Sequence, residues 1–257
     1  MLSFDINCDM GESFGAWKLG FDEEALALVT SANVACGFHA SDPLTMRRTV
    51  RLAKRHGVGV GAHPGYPDLV GFGRRDMALD PEEIEAATVY QIGALRAICD
   101  AEGVPLRHVK AHGALYNRAA REPAAAAALA RAIASVDRGL VMVCLSRSAM
   151  AEAARSEGLP YVEEAFADRA YEADGSLVAR AKPGSVITDP AEIARRVLRM
   201  AREGIVTSID GKEVALDAAT VCVHGDTPGA VAIIAAVRKK LVEEGVRLAV
   251  FEGCGKQ

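Results

Sequence analysis

The chain has 257 residues, 50% of them hydrophobic and 25% charged, and a net charge of −4 from 30 Lys and Arg against 34 Asp and Glu. These are values of a soluble globular protein, long enough for one large α/β domain or two small ones. No basic run forms a nucleic-acid footprint, no stretch of about 18 apolar residues offers a membrane span, and no signal peptide is visible, so neither nucleic acid nor membrane is expected as a partner.

The first predicted element is a strand that begins in Leu2-Ser3-Phe4 and continues through Asp5-Ile6-Asn7-Cys8-Asp9-Met10-Gly11-Glu12 into a polar loop. Asp5, Asn7 and Asp9 alternate, so a strand points all three side chains to one face. Burying two carboxylates and an amide is costly unless partners satisfy them, which makes that face look into a polar cavity. The competing reading is an acidic loop that caps helices and turns.

A helix over 22–30 and a strand over 32–37 follow. Ser41-Asp42-Pro43 supplies a cap and an early proline for a helix to about His56. A strand over 57–63 leads into a Gly-, Pro- and Arg-rich loop over 64–79. Asp80-Pro81-Glu82-Glu83 opens the next helix, to about Gly103, with acids near its positive end. Then come a strand over 107–112 and an Ala-rich helix over 118–135, whose alanine run signals helix propensity.

Further strands are predicted over 140–145, 161–165, 220–224 and 247–251, and helices over 148–157, 190–203 and 228–244. A polar excursion over 168–180 and a small hairpin over 207–216, centred on Asp210-Gly211, interrupt the rhythm. No linker or short-period repeat is present. Strand–helix alternation along the whole chain implies a parallel sheet, and seven or eight such units in one domain, 1–257, favour a closed (β/α) barrel over an open sheet.

Barrel active sites gather at the C-terminal ends of the strands. In this chain those ends carry Asn7, Asp9 and Glu12, then His39, His63, Lys110 with His112, Asp168 with Arg169, and His224 with Asp226. Four of the six histidines therefore follow a strand directly. His56 reads as a helix C-terminal cation and His108 as a strand start, both without a chemical role. The loop over 64–76 sets Arg74 and Arg75 among Gly65, Gly71 and Gly73, as a lid that grips a carboxylate or phosphate or as an ordinary flexible loop.

Three chemistries suit this collection. The histidines and carboxylates could bind a divalent metal that activates water, perform metal-free acid–base work with Lys110 or Arg169 steadying negative charge, or bind an anionic ligand. Spacing does not choose among them, because neither H-E-x-x-H nor H-x-H occurs. No G-x-x-x-x-G-K-[ST] phosphate loop is present either, and Gly253-Cys254-Gly255-Lys256 reads as a frayed terminus. Cys8, Cys36, Cys99, Cys144, Cys222 and Cys254 include no C-x-x-C pair and mostly sit in apolar runs, so buried free thiols and a cytoplasmic location are expected.

Several long motifs carry a family resemblance. The stretch from Asp5 to Glu12, Asn33-Val34-Ala35-Cys36-Gly37-Phe38-His39-Ala40, Gly61-Ala62-His63-Pro64-Gly65-Tyr66-Pro67-Asp68, Val109-Lys110-Ala111-His112-Gly113-Ala114-Leu115-Tyr116-Asn117, Glu164-Ala165-Phe166-Ala167-Asp168-Arg169 and Val223-His224-Gly225-Asp226 resemble the LamB/YcsF family. That family is the A subunit of prokaryotic 5-oxoprolinase, and the match spans nearly the whole chain.

The resemblance implies a seven-stranded, TIM-like α/β barrel of the glycoside hydrolase/deacetylase type. It implies opening of the 5-oxo-L-proline lactam to L-glutamate, with ATP as co-substrate going to ADP and phosphate, together with separate B and C subunits. A five-membered lactam is a stable amide, so coupling to ATP makes chemical sense.

On this reading Asp9 or His112 is the base, Lys110 steadies the oxyanion, and Arg169 or Arg74 holds the substrate carboxylate. Asn7, Glu12, Asp168 and Asp226 join the substrate site, and His39, His63 and His224 position these groups or bind a divalent metal. Related deacetylases use a metal through Asp and His, but their His-containing motif is not reproduced here. The alternatives are a stand-alone metal-dependent amidohydrolase or deacetylase and a non-catalytic lactam-binding subunit.

Overall fold

The alternating pattern folds into a closed ring of parallel strands wrapped by helices. The computed structural model describes residues 2–225 and 229–251. Its strands are β1 (Ser3–Met10), β2 (Ser31–Ala35), β3 (Gly59–His63), β4 (Leu106–Val109), β5 (Val141–Leu145), β6 (Tyr161–Phe166), β7 (Ile205–Thr207), β8 (Glu213–Ala215), β9 (Thr220–Val223) and β10 (Arg247–Leu248). Strands β1 to β6 pair in sequence order, β9 pairs with β6, and β9 returns to β1, all in parallel, so seven strands close a TIM-like barrel. Strand β10 adds to the start of β1 outside the ring, and β7 and β8 form an antiparallel hairpin.

The helices are α1 (Asp22–Leu26), α2 (Pro43–His56), α3 (Pro81–Glu102), α4 (Gly113–Arg121), α5 (Pro123–Val136), α6 (Ala149–Glu157), α7 (Pro190–Glu203) and α8 (Ala230–Glu243). Their starts follow local chemistry. The Asp42 carboxylate accepts from the Leu44 and Thr45 amides at the head of α2, and Asp80 and Glu83 form a reciprocal capping box on α3. Among the described residues no helix is long and apolar enough to cross a membrane.

Several predicted boundaries are corrected. The helix expected over 118–135 is two helices, because Pro123 has no N–H to donate and holds Glu122 in an extended conformation (φ −104, ψ 109). The helix expected over 22–30 stops at Leu26, since Thr30 is recruited to β1: its amide donates to the Ile6 carbonyl and its hydroxyl to Asp5. Strand β3 starts at Gly59, two residues later than expected, because Gly57 (φ 66) is the left-handed cap of α2. Of the strand expected over 247–251, only Arg247 and Leu248 pair. The excursion over 168–180 is irregular but less polar than its composition suggests, with Tyr171 and Val178 fully buried. Asp226 and the stretch over 253–256, Cys254 included, lie outside the described residues.

Inside the barrel the polar face of β1 meets polar faces of its neighbours in layers. At the bottom, the Asp5 carboxylate accepts hydroxyls from Thr30, Ser31 and Thr220 at 2.6, 2.7 and 2.5 Å. Burial nevertheless outweighs those bonds and pushes its pKa up to about 6. One layer up, the Asn7 amide donates to Glu164 and Thr220 and its oxygen accepts from Asn33. His108, read from the sequence as a strand-start residue, lies in this layer, with Nε2 2.9 Å from Asn33 Oδ1, and burial pulls it down to about 3. It fits because Gly61 on β3 has no side chain: a Cβ there would fall 2.1 Å from the His108 ring. The other face of β1, Ile6, Cys8 and Met10, joins the apolar core under the helices. Cys8, Cys36, Cys99, Cys144 and Cys222 are buried free thiols.

Candidate active site

The top layer of the barrel interior is organised around one ammonium. Lys110 and His112 extend β4 beyond its last paired residue, their amides donating to the Ala62 and Pro64 carbonyls at the end of β3 and just beyond it. Lys110 Nζ then lies 3.1 Å from Asp9 Oδ1, 3.0 Å from Glu164 Oε1, 3.2 Å from Asn7 Oδ1 and 3.0 Å from Cys222 Sγ. Burial opposes the charge, but the neighbours around it, Asp9 foremost and Glu164 among them, outweigh it and hold the ammonium well above the ordinary lysine range. Burial likewise opposes ionisation of Asp9, yet His63 and Lys110 beside it keep its carboxyl well below the usual carboxylate range.

Beside this pair stand three histidines. His63 Nδ1 donates to the Lys110 carbonyl at 2.7 Å, and its Nε2 lies 3.3 Å from Asp9 Oδ2. His112 Nε2 donates to the Phe72 carbonyl at 2.9 Å. That carbonyl is aimed by a left-handed stretch, Phe72 at φ 55 and Gly73 at φ 60, which is strained for a phenylalanine and marks the loop as shaped for the site. His39 stacks on His112 with parallel rings 3.8 Å apart, in a slot that Gly65 and Gly73 leave open. Burial first, and the neighbouring histidines after it, pull His39 and His112 well below the ordinary histidine range. Across the barrel His224 Nδ1 donates to the Asp168 carboxylate, 2.8 Å from Oδ1, while its ring lies flat against Phe166.

A cavity of about 440 Å³ opens onto these groups. Of the residues predicted from sequence, Asp9, His63, Arg74, Lys110, His112, Arg169 and His224 line it. Asn7, Glu12, His39 and Asp168 are buried and stand behind that lining. Arg169 is fixed in the wall, Nη2 donating to the Val178 carbonyl at 2.6 Å and Nε to Ser185 O at 3.3 Å, and burial pulls its guanidinium down to about 10. Arg74 lies over the Phe72 ring, whereas its neighbour Arg75 turns away to pair with Asp68.

Sequence reasoning missed Glu164, Asn33 and Tyr116, whose hydroxyl donates to Glu164 at 2.9 Å. The alternation that singled out β1 is also present in Ser31 and Asn33 of β2, and Glu164 is an acid in a mostly buried strand. Among the described residues two groups of side chains could hold a metal ion: Glu12, His39, His63 and His112, and separately Asp9, Cys222 and His224.

A closed parallel barrel with buried acid–base groups at the C-terminal ends of its strands defines a TIM-like barrel of the enzyme type. The chain belongs to the LamB/YcsF family, whose model matches residues 4–255. It is 56% identical over 244 residues to the A subunit of 5-oxoprolinase from Pyrococcus abyssi, across 95% of this chain and 96% of that one. The crystal structure of the lactam utilization protein from Thermus thermophilus superposes with a TM-score of 0.93 at 53% identity, covering 97% of this chain and 100% of that one. The catalytic domain of a peptidoglycan N-acetylglucosamine deacetylase from Eubacterium rectale shares the fold alone, with a TM-score of 0.51 at 10% identity over 97% of this chain and 90% of that one.

Proposed function

We propose that this chain is the lactam-opening component of an ATP-dependent 5-oxoprolinase. With B and C subunits as partners it converts 5-oxo-L-proline, ATP and two waters into L-glutamate, ADP and phosphate. The observation that carries the reading is the cavity itself. Cations for a carboxylate, a buried ion pair and a histidine–carboxylate dyad all face one space of about 440 Å³, within the range of small-molecule sites. Relatives named for this activity and for lactam utilization support it.

The substrate carboxylate is held by Arg169, whose guanidinium is already oriented by the Val178 and Ser185 carbonyls, with Arg74 beside it. ATP activates the lactam carbonyl by phosphorylation, and the partner subunits help to handle the nucleotide. Water then attacks the carbonyl carbon and the C–N bond breaks to leave γ-glutamyl phosphate, whose hydrolysis by a second water releases L-glutamate and phosphate.

The base that accepts the water's proton is His224. Asp168 engages its Nδ1–H, so Nε2 carries the lone pair, and the same nitrogen can return the proton to the departing lactam nitrogen. This moves the base role away from the two residues favoured on sequence. Asp9 is committed as a carboxylate to Lys110 and Asn33. His112 gives its N–H to Phe72 O, and its Nδ1 is turned towards His63 Nε2, 3.0 Å away. Lys110 has three protons and four acceptors around it, so it steadies negative charge through its field rather than through a spare N–H.

The test is glutamate release from 5-oxoproline, with and without ATP, by this chain alone and with its B and C subunits. The reading expects release only with ATP and partners together. ATP-independent hydrolysis of an amide or acetylated sugar by the chain alone would overturn it in favour of an amidohydrolase, and binding without turnover in the full assembly would make the chain a non-catalytic component.

A further inference from the structure

Two imidazoles beside the cavity meet lone pair to lone pair. His63 Nδ1 donates to the Lys110 carbonyl at 2.7 Å and His112 Nε2 to the Phe72 carbonyl at 2.9 Å. In its neutral form an imidazole has one N–H, and each of these two gives one to a carbonyl. His63 Nε2 and His112 Nδ1 are therefore both acceptors, and they lie 3.0 Å apart. Two acceptors at that separation repel unless something positive stands where they converge.

More donor atoms for a cation converge on the same point. Glu12 Oε1 lies 3.8 Å from His112 Nδ1 and 3.5 Å from His39 Nε2. His39 has an exposure of 0%, and neither of its ring nitrogens makes a hydrogen bond among the described residues. An imidazole so fully desolvated and so poorly satisfied is costly unless a ligand takes up its lone pair.

The geometry points to a divalent-metal site built from Glu12, His39, His63 and His112, whose ligand atoms all lie within 4.8 Å of one another, with the His39 ring turning out of its parallel stack on His112 so that both lone pairs meet one ion. Three imidazoles and one carboxylate suit a borderline first-row ion such as Zn²⁺. The carbonyls that receive the outer N–H groups of His63 and His112 are the partners that ordinarily fix tautomer and orientation in metal-binding histidines. When bound, such an ion supplies Lewis acidity at the edge of the cavity.

The neighbouring group of Asp9, Cys222 and His224 does not qualify, because a cation is already there: Lys110 Nζ lies 3.1 Å from Asp9 and 3.0 Å from Cys222. The site is argued from ligand atoms alone and stands whether or not 5-oxoproline is the substrate.

The experiment is metal titration of the chelator-treated full chain, read by elemental analysis for Zn²⁺ and by visible absorption for Co²⁺, with circular dichroism to verify folding. The expected result is about one ion per chain, bound about 100-fold or more weakly by Glu12→Gln and His39→Asn and unchanged in Cys222→Ser. A wild-type chain that takes up neither ion overturns the proposal and leaves a proton shared between His63 and His112. Binding that survives Glu12→Gln and His39→Asn but is lost in Cys222→Ser also overturns it. Neither outcome bears on ATP-dependent glutamate release, so the two readings fail separately.

Discussion

Around Lys110 two buried carboxylates, Asp9 and Glu164, share one ammonium at 3.1 and 3.0 Å. Removing that charge leaves both acids buried without their counter-ion, a situation that costs about 3–5 kcal/mol. Lys110→Met should therefore lower unfolding stability by roughly that amount in denaturant titrations, as well as abolish turnover; a variant as stable as wild type would mean the pair is not the organiser of the interior. Asp168→Asn probes the other side of the cavity. Asparagine keeps the size of the side chain but does not hold the Nδ1–H tautomer of His224, and kcat should fall about 10²–10⁴-fold with KM little changed. A KM effect alone would return Asp168 to substrate binding.

At the scale of elements, what was legible in the sequence is what is local. Asp42-Pro43 and Asp80-Pro81-Glu82-Glu83 announce α2 and α3 because a cap acts within three residues of itself. The polar face of β1 was legible for the same reason, since alternation is a property of consecutive residues. The pairing of Asn7 with Glu164 and of His108 with Asn33 was not, because it depends on which strands become neighbours across 157 and 75 residues. The break at Pro123 was legible in principle, and helix propensity in the alanine run masked it. Gly61 is the clearest case of a residue whose meaning exists only in the fold. Gly61→Ala drives a methyl into the His108 ring and should cost about 1–3 kcal/mol or more, and pairing it with His108→Ala should recover part of the loss. Additive losses in that double-mutant cycle would show that the two residues do not share the space.

For the whole molecule, the polar interior makes stability depend on pH. His39, His108 and His112 are held neutral below the ordinary value of 6.5, His108 down at about 3. The unfolded chain takes up protons that the folded chain refuses, so their contribution is full above pH 6.5 and is lost as pH falls below it. Asp5 acts in the opposite sense: raised from 3.8 to about 6, it favours the folded state below 3.8 and loses that contribution, about 3 kcal/mol, as pH rises through about 6. Three groups oppose one, so denaturant midpoints should fall as pH is lowered from about 7 to about 4. Asp5→Asn should steepen that fall by removing the carboxyl that offsets it. A midpoint independent of pH over this range would contradict the neutral-histidine interior.

The proposed lactam opening in the barrel cavity relies on His224 as the proton-transfer residue. The most direct measurement is glutamate release from 5-oxoproline and ATP by the assembly reconstituted with either wild-type chain or His224→Gln, at matched folding and partner association. The expected rate for the variant at saturating substrate is about 10²–10⁴-fold lower. Wild-type turnover by His224→Gln would contradict it.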